Sequence, residues 1–221
     1  MGLFITFEGL DGSGKSTQVR LLYEALKKRN VHVLLTREPG GTRIGEQIRD
    51  TLHATSYVEM LPETEILLYS ASRAQLVGEF ILPRLAQGFV VLCDRYVDST
   101  FAYQGYGHGL DLGVLRQISH FATSGLRPDL TVYLDLDAGA GLARRHSAHQ
   151  TETGELNRMD RQTLEFYRRV RQGYLAMAEA EPGRWRTIDA TPPSAAVHDS
   201  VLDVVWPIVE SWLGGSAQMQ D

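Results

Sequence analysis

"FEGLDGSGKSTQ", residues Phe7 to Gln18, follows the apolar run Leu3-Phe4-Ile5-Thr6-Phe7 and brings three glycines, a lysine and a cluster of hydroxyl residues together. Within it, Gly9-Leu10-Asp11-Gly12-Ser13-Gly14-Lys15-Ser16 matches the pattern G-x-x-x-x-G-K-[ST]. The match lies after a predicted strand and before a predicted helix, where the pattern has mechanical meaning. Glycines let the backbone turn its N–H groups toward phosphate oxygens, and the following helix adds the favourable end of its dipole. Gly9, Leu10, Asp11, Gly12, Ser13, Gly14, Lys15, Ser16 and Thr17 are therefore read as the site of ATP. Lys15 bridges its β- and γ-phosphates and Ser16 ligates Mg2+. Asp11 is the anomaly, because a carboxylate among phosphate-facing amides is repelled by the anion they bind.

Working outward, further apolar runs at His32–Thr36, Phe89–Asp94, Leu130–Leu136 and Trp185–Asp189 alternate with segments of helical period. That alternation predicts an α/β fold with a five-stranded parallel sheet and helices on both faces. Asp94 closes the third run, where a P-loop protein holds its metal; a carboxylate that merely ends a strand is the other reading. Helices are expected from the glycine loop to about Asn30, along Ile44, Ile48 and Leu52, over Glu63–Ala86 with Pro83 kinking or shortening it, over Met159–Ala180, and from Val197 to Trp212 with Pro207 bending or dividing it. Ser147–Leu156 is polar, aperiodic and contains Gly154, which reads as a mobile loop. The expected organisation is one domain over 1–213 and a short tail at 214–221.

The 221 residues, 43% of them hydrophobic, suffice for one substantial core. A formal net charge of −5 argues against a broad nucleic-acid or anionic-membrane surface, so any phosphate site is local. No stretch reaches the roughly 18 apolar residues of a membrane span. The single cysteine, Cys93, lies in an apolar run and reads as a buried reduced thiol, which points to a cytoplasmic setting. The seven histidines show no metal-ligand pairing.

The loop leaves the phosphate acceptor open, since kinases, GTPase switches and partitioning ATPases all use it. The Asn/Thr-Lys-x-Asp sequence of a guanine-specific domain is absent from the C-terminal half. Four further segments bear on the acceptor: Thr36-Arg37-Glu38-Pro39-Gly40-Gly41-Thr42, Tyr69-Ser70-Ala71-Ser72-Arg73-Ala74-Gln75, Asp94-Arg95-Tyr96, and Ser99-Thr100-Phe101-Ala102-Tyr103-Gln104-Gly105. Together with the glycine loop, and with Arg127-Pro128-Asp129-Leu130-Thr131 and Thr187-Ile188-Asp189-Ala190-Thr191, their order and spacing resemble the bacterial thymidylate kinases.

The resemblance implies a nucleoside-monophosphate-kinase fold, a homodimer, and transfer of the ATP γ-phosphoryl group to the 5′-phosphate of dTMP. An acceptor that is already ionised needs no strong base, only neutralisation and alignment. By similarity Arg95 holds the acceptor phosphate and Arg37 is a second candidate, with Glu38 a partner for these arginines or for metal-bound water. Tyr69, phenylalanine in many relatives, stacks on thymine. Arg73 donates to a pyrimidine oxygen, Gln104 reads the polar edge and Arg49 lines the pocket. Ser99, Thr100 and Tyr103 neighbour the deoxyribose or phosphate, and Asp11 turns to the 3′-hydroxyl. A lid at about 141–158 supplies Arg144, Arg145 and Arg158 as candidates for the catalytic arginine.

Overall fold

In the computed structural model, which describes residues 2–151 and 162–217, five parallel strands form one sheet in the order β2-β3-β1-β4-β5. They are β1 (Leu3–Gly9), β2 (Val33–Arg37), β3 (Val90–Asp94), β4 (Leu130–Asp135) and β5 (Trp185–Asp189). The central strand β1 is buried along its whole length, because a parallel strand covered on both faces has no solvent side. Side chains still alternate in direction along it. Ile5 and Phe7 join the cluster formed with Val19, Leu22 and Leu26 of α1 (Lys15–Lys28) and Val201, Val205 and Val209 of α9 (Ser194–Ala217). Phe4 points the other way, into the cluster formed with Leu76, Ile81, Leu85 and Tyr96. Its neighbour Thr6 meets Thr131 of β4 through their hydroxyls at 3.0 Å, which satisfies two buried polar groups across the sheet.

The register sets the functional edge. Phe7 lies opposite Asp94, and Asp94 lies opposite Arg37, so β1, β2 and β3 end at one level where the glycine loop begins. Carboxyl ends of parallel strands are where ligands bind in open α/β sheets.

The remaining helices are α2 (Arg43–His53), α3 (Pro62–Leu76), α4 (Leu82–Ala86), α5 (Val97–Thr100), α6 (Leu112–Thr123), α7 (Ala138–Thr151) and α8 (Leu164–Ala180). The helix expected over Glu63–Ala86 is interrupted just before Pro83. A π-helical turn spans Val77–Ile81, and the Leu82 N–H reaches back to the Val77 carbonyl. The wider turn is how the chain accommodates a ring that crowds the preceding carbonyls. A second π-helical stretch, Phe101–Gly107, continues α5.

The helix expected along Ile44, Ile48 and Leu52 is α2, in which Leu52 is 1% and Ile44 47% exposed. Ser147–Thr151 are helical, because α7 runs on from Ala138, and the loop expected from Ser147 does not start there. Of the two outcomes expected at Pro207, division does not occur, and α9 runs on to Ala217. Cys93 is buried as anticipated, and burial pushes its thiol well up. Among the described residues no helix is long and apolar enough to cross a membrane.

Candidate active site

Helix α1 begins at Gly14, whose φ of 91° is left-handed, with no side chain capping the helix and no acidic residue in its first turn. Its first amides and dipole are thus left for an anion. Gly12 also sits at positive φ, and a Cβ there would lie 2.3 Å from the Gly141 carbonyl, where the loop meets α7. The Lys15 ammonium donates to the Leu10 carbonyl at 2.8 Å. Burial, and then Arg95, bring it down to about 8. The Leu10 side chain belongs to the core, so this residue offers the loop its backbone alone, and Thr17 is exposed on α1.

Ser16 donates to Asp94 Oδ2 at 2.5 Å across the ends of α1 and β3. Among the described residues nothing partners the buried Asp94 Oδ1 or the buried Ser13 Oγ. A hydroxyl beside a carboxylate with an unused oxygen fits Mg2+, which takes one or two protein oxygens and completes its shell with phosphate and water. No group of three or more His, Cys, Asp or Glu ligands occurs among the described residues.

Beside this pair opens a cavity of ≈ 200 Å³. Of the residues singled out in the sequence, Asp11, Lys15, Ser16, Arg37, Glu38, Arg49, Tyr69, Arg73, Asp94, Arg95, Ser99, Thr100, Tyr103, Gln104 and Arg145 all line it. Arg95 is its most heavily bonded cation. Its Nη2 donates to Asp11 Oδ1 at 2.7 Å and to the Tyr103 hydroxyl at 3.1 Å, while Nη1 donates to the Gly9 carbonyl and to Ser99 Oγ. This answers the anomaly of Asp11, whose carboxylate turns from the loop amides to a guanidinium. Burial opposes that charge, but Arg95, Lys15 and Arg145 outweigh it and hold the carboxyl well below the usual range.

Of the two partnerships expected of Glu38, the one with Arg95 or Arg37 is not made. Glu38 Oε2 lies 2.7 Å from Nη2 of Arg73, and the two side chains are 3% and 2% exposed. Arg73 also donates to Thr100 Oγ1 at 3.1 Å and to the Tyr96 carbonyl at 3.3 Å. The reason is topological: Ser72 and Arg73 of α3 reach the segment that follows β2, while Arg95 is drawn to Gly9 and Asp11 of the glycine loop. Arg37 instead forks onto Glu46 of α2 at 2.9 and 3.0 Å. Both Arg37 and Arg49 donate to the Pro39 carbonyl. Gln104 donates to Glu65 at 2.7 Å. Ser99 lies inside α5, where its hydroxyl donates to Glu8.

The arginines of the expected lid separate. Arg145 faces the cavity, whereas Arg144 donates to the carbonyls of Ala190 and Thr191, after β5. Arg158 lies outside the described residues, as does much of the expected lid.

Sequence reasoning missed two titratable groups. His53 lines the cavity at the end of α2, and burial with the neighbouring Arg49 and Arg37 lowers its imidazole to about 4. Glu8 sits wholly buried in β1, its carboxyl pushed up to about 7 by burial first and then by Asp98, against the Ser99 hydrogen bond and the charge of Arg95. A carboxylate within an otherwise apolar central strand was the signal available for it.

An uncapped helix start behind a glycine loop, a Ser–Asp pair beside it and an adjoining arginine-rich cavity define a P-loop nucleotide-binding protein. The profile of the thymidylate kinase family matches residues 7–201, and the chain belongs to that family. It is 52% identical to the thymidylate kinase of Roseiflexus sp. (strain RS-1), with 96% of each protein covered. It is 46% identical to that of Pelotomaculum thermopropionicum, covering 98% of this chain and 99% of the relative. The crystal structure of thymidylate kinase from Ehrlichia chaffeensis superposes with a TM-score of 0.75 at 35% identity, covering 92% of this chain and 98% of that one.

Proposed function

We propose that this chain phosphorylates dTMP to dTDP with ATP, as an Mg2+-dependent thymidylate kinase. The observation that carries the reading is the single cavity in which the P-loop residues Lys15 and Ser16 meet Arg95, Arg73 and Tyr69, a donor half and an acceptor half side by side. The loop amides, the α1 dipole and Lys15 hold the triphosphate. Ser16 and Asp94 would hold Mg2+, which neutralises phosphate charge when bound. Arg95, whose guanidinium is anchored by Asp11, brings its positive charge to the acceptor phosphate and so holds the attacking oxygens against the γ-phosphorus. Bringing two anions into line is the main work of such a site, and electrostatic preorganisation supplies it.

Tyr69 stacks on the thymine, and the second N–H on Nη1 of Arg73 is directed to a base oxygen, because Thr100 takes only one. Gln104 reads the base edge, Arg37 and Arg49 form the outer positive wall, and Asp11 accepts from the 3′-hydroxyl. Arg145, from a lid around 141–158 within one kinase domain spanning 1–213, is the arginine that reaches the transferred group. Its place in the cavity supports this over Arg144, whose carbonyl bonds point it elsewhere. A homodimer is supported by an apolar set on α3 and the two helices that pack against it, with Ile44 of α2 47%, Leu67 of α3 58%, and Val114 and Phe121 of α6 53% and 88% exposed. The lone buried thiol suits a reducing compartment, the cytoplasm.

The test is ADP release by purified protein across dTMP, dUMP, dCMP, dGMP and UMP. Turnover should be fastest with dTMP; protein that binds ATP yet makes no dTDP would refute the reading.

A further inference from the structure

Arg95 occupies an unusual backbone position. Its φ of 69° is left-handed, a region that non-glycine residues enter only under constraint. Three consecutive residues of β1 supply that constraint. The Phe7 carbonyl accepts the Arg95 N–H at 2.9 Å, Glu8 Oε1 accepts the next amide, Tyr96 N–H, at 2.8 Å, and the Gly9 carbonyl accepts from the guanidinium at 3.2 Å. Phe7 and Gly9 act through main chain, which any residue provides. Glu8 acts through its side chain.

The other carboxylate oxygen, Glu8 Oε2, accepts from Ser99 Oγ at 2.6 Å and from the Tyr174 hydroxyl at 2.9 Å. Those two hydroxyls are themselves 2.9 Å apart, and each accepts from Nη1 of Arg95, at 3.0 and 3.5 Å. With their protons given to Glu8, their lone pairs are left for Arg95. The order of donors is therefore Arg95 to the hydroxyls and the hydroxyls to Glu8. In its ionised form the carboxylate accepts only, and in that form it enforces the direction. A glutamine would offer an N–H to the same hydroxyls, compete with Arg95 for their lone pairs and leave a hydroxyl proton without a partner.

We propose that Glu8 is a positioning residue that aims Arg95 at the acceptor phosphate, acting through Tyr96 N–H, Ser99 and Tyr174 without touching the substrate. This rests on reading Arg95 as the holder of the dTMP phosphate. It predicts that loss of the carboxylate is felt first by the phosphate of the acceptor, because Glu8 bonds Tyr96 N–H, Ser99 and Tyr174 beside Arg95, while Tyr69 and Arg73 stand on α3.

The experiment compares binding of dTMP with binding of thymidine, which keeps base and sugar and lacks the phosphate, by calorimetry on the full chain. For Glu8→Gln, dTMP affinity should fall at least about tenfold and turnover up to about 10²-fold, the scale of a small misplacement of a reacting group. Thymidine affinity should stay within about twofold. Combined with Arg95→Ala, Glu8→Gln should add nothing. A merely structural role would weaken both ligands alike, and that result, or an unchanged dTMP-to-thymidine ratio in folded Glu8→Gln, overturns the proposal. So does a full additional loss on top of Arg95→Ala. If Glu8→Gln does not fold, Tyr174→Phe keeps the ring and removes one arm; a smaller loss confined to dTMP supports the proposal, and an unchanged ratio overturns it. Wild-type protein that neither binds nor phosphorylates dTMP overturns the functional reading along with it, whereas an active wild type with an unchanged ratio refutes Glu8 alone.

Discussion

Replacing Arg73 with methionine keeps much of the side-chain volume and removes the cation from a pair that solvent scarcely reaches. Arg73 and Glu38 are 2% and 3% exposed, and their charges are 2.7 Å apart. Breaking a buried pair by deleting one partner costs about 3–5 kcal/mol, because the other charge is left uncompensated. A second route gives a similar figure. The Glu38 carboxyl is already raised by burial against the pull of Arg73, and without Arg73 it takes up a proton. Counted from its ordinary value of 4.5, that protonation costs at most about 3.4 kcal/mol at pH 7, less whatever burial already costs the native carboxylate. In a chain of this size the loss corresponds to a fall in Tm of roughly 6–20 °C.

The sign with pH follows from proton counting. The folded variant holds a proton on Glu38 that its unfolded chain releases above pH 4.5, so raising the pH favours unfolding of the variant relative to wild type. The deficit should therefore shrink by about 1.4 kcal/mol for each unit from pH 7 toward the native carboxyl's own range. Urea unfolding of both proteins, followed by tryptophan fluorescence between pH 5.5 and 7, measures it. A deficit under about 1 kcal/mol at pH 7, or one flat with pH, would refute the reasoning. The double variant Arg73→Met, Glu38→Met should regain most of the lost stability.

With the Lys15 ammonium near 8 in the free enzyme, kcat/KM for ATP should fall about tenfold per unit above that pH, and a profile level to pH 9.5 would contradict the assigned role. Gly12→Ala places a methyl 2.3 Å from the Gly141 carbonyl at a positive φ, so calorimetry should show ATP binding weakened at least about tenfold in a folded protein. Arg145→Ala should cut turnover at least about 10²-fold with ATP KM little changed, whereas Arg144→Ala, which frees the carbonyls of Ala190 and Thr191, should leave turnover within about tenfold; steady-state kinetics of both variants separates them.

The glycine loop was legible because its function is local: Gly9 to Ser16 carry their own turn, their own helix start and their own cation within eight residues. The strands were legible for a related reason, since runs such as Val90–Cys93 are apolar on both faces and admit few other readings. Resemblance then pointed to an acceptor set that the fold does gather into one cavity. The partnerships within that cavity were not legible. Glu38 follows Arg37 in the chain yet bonds Arg73, which is 35 positions away. The helix of α7 was missed past Ser147 because polar, aperiodic residues leave no stripe to read.

The one-dimensional pattern was enough for the order of strands and helices, the phosphate loop and the inventory of arginines, since each depends on neighbours a few residues apart. The assignment of those arginines waited for the sheet order β2-β3-β1-β4-β5, which brings the ends of β1, β2 and β3 to one level. Partners separated by 84 or 86 positions, such as Arg95 with Asp11 and with Gly9, meet only after that register is formed. The direction of a guanidinium depends on which acceptors surround it in space, and spacing along a chain carries no such information.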